Sequence, residues 1–68
     1  MPWNYRVMNR DGELAIYEVY YDDEGRVRGH GSEPTFPAGD SIEALRANCA
    51  LFLTALEKGV LVYAQGSA

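Results

Sequence analysis

The chain has 68 residues, ten of them acidic and six basic, for a formal net charge of −4, and a single cysteine. That length holds one domain, one cysteine excludes an internal disulfide, and six scattered basic residues do not make the positive stripe that a nucleic-acid backbone needs. No apolar run reaches transmembrane length and the N-terminus has no signal-peptide pattern, so the expectation is a cytoplasmic protein with neither membrane nor direct nucleic-acid contact.

Trp3 to Met8 alternates Trp3, Tyr5 and Val7 with Asn4 and Arg6, the pattern of a half-buried strand. Asn9-Arg10-Asp11-Gly12 is a turn, with Gly12 supplying positive φ. Leu14 to Tyr21 is a second strand, dense in Ile, Val and Tyr. Asp22-Asp23-Glu24-Gly25 is a second turn, of type I and closed by Gly25 as a bulge. Arg26 to Gly29 is a third, weaker strand. Residues 3–29 are therefore expected to form a three-stranded antiparallel meander. Residues 30–39 form a crossing segment, in which Pro34 and Pro37 forbid a central strand.

Residues 40–58 carry the one long helical pattern. Asp40 or Ser41 suits the N-cap, and with Asp40 as the cap Glu43 completes a capping box. Lys58 and Gly59 read as the stop, Gly59 as a left-handed cap. Ile42, Leu45, Cys49, Phe52, Leu53 and Leu56 follow the spacing of one buried stripe. Across from it Ala44, Ala47, Leu51 and Ala55 make a second, small apolar ridge. Val60 to Tyr63 reads as a returning fourth strand, and residues 65–68 as a frayed tail. The fold class is α+β, with βββα order and a short C-terminal strand.

Register decides which sheet face meets the helix. With a Gly bulge in both turns, Tyr5 opposes Tyr17 and Tyr21 opposes Val27. Trp3, Tyr5, Val7, Tyr17, Val19, Tyr21 and Val27 then share one face. Arg6, Met8, Leu14, Ile16, Glu18, Tyr20, Arg28 and His30 share the other. A two-residue Asp11-Gly12 turn shifts the first pairing by one and changes the faces. Under either register large apolar groups stand on both faces, more than one helix covers.

No catalytic, cofactor or metal constellation emerges. His30 sits between two glycines near Glu33 and across from Glu18, which suits a general base, but no nucleophile completes a set. Asp22-Asp23-Glu24 lacks the alternation of a calcium loop. Gly25, Gly29 and Gly31 are not followed directly by a helix and a Lys-Ser/Thr pair, as a phosphate loop would be.

The order of elements resembles the small domain of HicB-like antitoxins. The matching residues are Gly39-Asp40-Ser41 followed by Ile42-Glu43-Ala44-Leu45, within a resemblance covering roughly residues 5 to 63. The chain departs from that pattern in lacking the Pro-Asp-hydrophobic-Pro-Gly-Cys segment after the second strand, and in lacking a DNA-binding domain. The DNA-binding part of the family's function therefore does not carry over. The run WNYRV with DGELAIYEVYYDDEG is also similar to a group of short, uncharacterised bacterial proteins, which implies no activity.

The reading that follows is a small acidic, non-enzymatic protein-binding module. It would act like an antitoxin or inhibitor, occupying a partner protein's surface as a phage-type inhibitor of a defence nuclease would. The expected state is a homodimer. Partner-binding candidates are Leu14, Ile16, Glu18 and Tyr20 on the sheet and Ala44, Ala47, Leu51 and Ala55 on the helix ridge. In that homodimer the bare sheet face or its edge contributes most, and the ridge stays free for an outside partner. Two alternatives remain: a small enzyme or ligand-binding protein using His30 and Glu18 beside an aromatic face, and a purely structural homo-oligomer.

Overall fold

The computed structural model describes residues 2–63, and the expected tail at 65–68 lies outside them. The fold is α+β. Strands β1 (Trp3–Arg10), β2 (Glu13–Tyr21) and β3 (Val27–His30) precede one helix, α1 (Ile42–Ala55), and a two-residue strand β4 (Leu61–Val62). The sheet order is β3-β2-β1-β4. The first three strands are the expected meander, and β4 runs parallel to β1 at its other edge.

The first hairpin takes the two-residue turn. Asp11 and Gly12 both have positive φ, 55° and 90°, as a type I′ turn requires. The Asn9 Oδ1 accepts a hydrogen bond from the Gly12 N–H at 2.8 Å, which holds the turn shut. Tyr5 consequently opposes Glu18, and Val7 opposes Ile16. This overturns the bulged register, in which Tyr5 faced Tyr17. The second turn matches expectation. Gly25 has φ 81°, and the Asp22 carboxylate accepts from the Glu24 and Arg26 N–H groups, each at 2.9 Å. Tyr21 opposes Val27, with an irregularity between Tyr20 and Tyr21.

Because side chains alternate along a strand, one face carries Trp3, Tyr5, Val7, Leu14, Ile16, Glu18 and Tyr20. The other carries Arg6, Met8, Tyr17, Val19 and His30. The helix lies on the first face, where the Phe52 ring sits 4.4 Å from the Tyr5 ring, centroid to centroid. The face away from the helix is nevertheless the deepest part of the protein: Met8, Tyr17 and Val19 are buried there, with Leu61, Tyr63, Ala15 and Tyr21 against them. Among the described residues the face away from the helix is therefore not the bare one, contrary to the sequence expectation; the sheet surface left open is on the helix side, at Leu14. A curled sheet and the returning β4 segment supply the cover that a second helix would otherwise give.

The helix is also turned from its expected setting. Its N-cap is Ser41, whose hydroxyl accepts from the Ala44 N–H at 3.0 Å. Glu43 is then one position short of a capping box, though its charge still faces the positive helix end. The last turn closes with three-residue bonds, the Leu56 N–H donating to the Leu53 carbonyl and the Glu57 N–H to the Thr54 carbonyl, each at 3.1 Å. Gly59 is not among the positive-φ residues, so it is no left-handed cap. Its carbonyl accepts instead from Arg6 Nη2 at 2.7 Å, tying the chain after the helix to β1.

Phe52 and Ala55 are the buried helix residues. Ile42, Leu53 and Leu56, expected inside, are 69%, 63% and 62% exposed, and Cys49 is only half-buried. The helix has rotated by close to one residue step, roughly 100°, toward the alanine ridge. Two contacts hold that setting. Asn48 donates to the Tyr5 hydroxyl at 3.3 Å and accepts from the Ala38 N–H at 2.9 Å. Gly39 passes so close to the first helical turn that a Cβ there would lie 2.5 Å from the Leu45 nitrogen.

Candidate functional site

The rotation leaves an open apolar groove of about 430 Å³ between the helix and the sheet. Leu14, Ala15 and Ile16 of β2, with Val7 of β1, form its floor. Phe52 and Leu56 form one wall, and Thr35, Phe36 and Pro37 the other. The second wall exists because the crossing segment follows the edge of β2 before it turns to the helix. The Gly31 N–H donates to the Glu18 carbonyl and the Thr35 N–H to the Ile16 carbonyl, each at 2.9 Å. Pro34 interrupts this pairing between the two bonds and Pro37 ends it, as prolines do at a sheet edge. Phe36 stands 74% exposed at the groove rim, and Leu14 is exposed beside it.

The sequence-derived candidates divide. Leu14 and Ile16 lie in the groove. Glu18 and Tyr20 share its face but bond to each other, the Tyr20 hydroxyl donating to Glu18 Oε1 at 2.7 Å. That bond, and to a lesser degree burial and the Glu18 charge, raises the ionisation of Tyr20 above the ordinary tyrosine value. On the helix, Ala47 and Leu51 are exposed and Ala44 is half-buried, whereas Ala55 has no exposed surface at all. The ridge is therefore not a free surface: its C-terminal end faces the sheet. Phe36, Pro37 and Leu56 were missed. An exposed Phe between two prolines is the one signal in the sequence that pointed to them.

His30 and Glu18 are not brought together. His30 opposes Val19 and so lies on the far face, while Glu18 opposes Tyr5 on the helix face. His30 is 2% exposed, and its ring packs on Tyr63 and Tyr17 at centroid distances of 4.6 and 6.2 Å. Its Nδ1 stands 2.6 Å from the Gly31 carbonyl; a carbonyl only accepts, so Nδ1 carries the proton there. Arg10 closes this cluster from outside, its guanidinium 4.4 Å from the Tyr63 ring centroid and donating to the Ser32 carbonyl at 3.2 Å. The neighbouring Tyr17 hydroxyl, followed by the Tyr63 charge, raises Arg10 further above its ordinary value, so it stays cationic. Aromatic packing accounts for this cluster, and His30 lies almost wholly out of solvent within it.

No family model, curated protein or solved structure matches this chain. Among the described residues no three His, Cys, Asp or Glu side chains gather as metal ligands, and no helix is long and apolar enough to cross a membrane.

Proposed function

We propose that this chain is a small acidic protein-binding module that works without chemistry, by occupying a surface of a target protein as an antitoxin or inhibitor does. The observation that supports it is the open apolar groove, with Phe36 and Leu14 exposed at its rim. Rimmed apolar patches of this kind mark protein contact sites, and an exposed aromatic beside a pocket has the form of an interface anchor. The net charge of −4 favours a basic target and speeds encounter with it. That is the charge an inhibitor of a nucleic-acid-handling protein in the cytoplasm needs. His30 and Glu18 lie on opposite faces of the sheet, which favours the binding reading over one that pairs them in catalysis.

The test is affinity capture from the native host with the wild-type chain and with Leu14→Glu, followed by reconstitution from purified parts. A stoichiometric complex with the wild type, lost with Leu14→Glu while the circular dichroism of the variant stays native, supports the reading. A target that binds both chains equally overturns the groove as its site. Loss of biological activity in Glu18→Gln with target binding intact would return the question to catalysis.

A further inference from the structure

We infer that α1 pairs with α1 of a second copy, antiparallel about a two-fold axis at Cys49. The helix rotation leaves Ile42, Leu53 and Leu56 exposed and Leu45 and Cys49 half-exposed, all within roughly 80° of the helix circumference. These five positions are symmetric about Cys49. Leu45 and Leu53 stand four residues to either side of it, and Ile42 and Leu56 seven. Antiparallel pairing with Cys49 on the axis therefore sets Ile42 against the partner's Leu56 and Leu45 against the partner's Leu53. Cys49 meets its own copy. An isologous interface requires such self-complementarity, and an apolar stripe need not have it.

Charge agrees with the same register. Asp40 and Lys58 stand nine residues before and after Cys49, just outside the two helix ends, so antiparallel pairing brings opposite charges toward each other at both ends of the pair. The stripe spans roughly 21 Å and leaves on the order of 400–500 Å² of apolar side chain in water, the scale of the largest patch on an ordinary monomer and about half of one side of a standard interface, so the pairing belongs to the small, weaker class. The exposed flank residues Arg46 and Glu57 extend it. A small cysteine at the centre lets the two backbones approach closely. The groove floor, Leu14 and Ile16 on β2, is not part of this stripe, so the dimer would present two grooves; Leu56 alone belongs to both, as a groove wall and as the end of the stripe.

Sedimentation velocity and mild thiol oxidation test this together. The wild type should sediment as a dimer at micromolar concentration and form a Cys49–Cys49 disulfide, or a short bis-maleimide crosslink. Leu53→Glu places a carboxylate against the partner's Leu45, so it should weaken the dimer and slow crosslinking by at least about tenfold, with native circular dichroism because Leu53 is exposed in the monomer. Leu14→Glu should leave both unchanged, which separates this interface from the groove. A wild type that stays monomeric at high micromolar concentration overturns the inference. So does a dimer that Leu53→Glu leaves intact, or one in which Cys49 does not crosslink.

Discussion

The helix setting makes a sharp prediction, because the expected and observed rotations rank the same side chains differently. Phe52 is buried against Tyr5, and truncation to Ala should cost about 3 kcal/mol, the low end of the range for a buried aromatic. The low end applies because Phe52 also lines the groove, so part of the space it vacates is open to water and Phe36 is free to move in. That figure is most of the roughly 3–5 kcal/mol that one small core supplies. With a urea slope near 1 kcal/mol/M the midpoint should fall by about 3 M, leaving the variant with at most about 2 kcal/mol. Leu53→Ala, one residue on, should cost no more than about 0.5 kcal/mol. Ala55→Leu should cost about 1–3 kcal/mol by overpacking, since Ala55 has no exposed surface. The assay is urea titration followed by Trp3 fluorescence, at the lowest workable protein concentration so that association does not enter. If Leu53→Ala proves as costly as Phe52→Ala, or Ala55→Leu is neutral, the stripe predicted from periodicity faces the sheet after all and the rotation is refuted.

Other consequences are simpler to check. Ser41→Ala removes the side chain that caps α1 and should cost about 1 kcal/mol, while Asp40→Ala at low protein concentration should cost little; the reverse order would restore Asp40 as the cap. Gly39→Ala drives a Cβ into the backbone of the first helical turn and should destabilise by about 2 kcal/mol or more, read as a fall in the urea midpoint. Tyr20 is a group whose ionisation is raised in the folded state by its bond to Glu18. The stability from that bond is fully present below the ordinary tyrosine pKa and is lost as pH rises through the raised folded value. Tyr20→Phe should therefore flatten that alkaline dependence, and a tyrosinate titration should lose a component above the ordinary tyrosine value.

Local chemistry decided the kinds of element, and it was legible. Two turns, three strands and a helix follow from Gly12 and Gly25 at positive φ, from β-branched and aromatic runs, and from a Ser or Asp before a 3.6-residue period. Register was not legible. Asp11-Gly12 fits either a two-residue turn or a bulged one, and a slip of one residue exchanges the faces of a strand. With Tyr, Val, Ile or Met on both sides of β1 and β2, hydropathy has no vote. Only the closed Asn9–Gly12 turn and the pairing of Tyr5 with Glu18 decide. Helix rotation escaped for a related reason. Between Ala44 and Leu56 the helix is apolar most of the way round, so periodicity selects the bulkiest stripe. Contact with a sheet selects something else: one ring, Phe52, a small residue at closest approach, Ala55, and a polar side chain, Asn48, whose partners Tyr5 and Ala38 come from distant parts of the chain. The groove and the exposed helix stripe both follow from that rotation, and so belong to the tertiary structure alone.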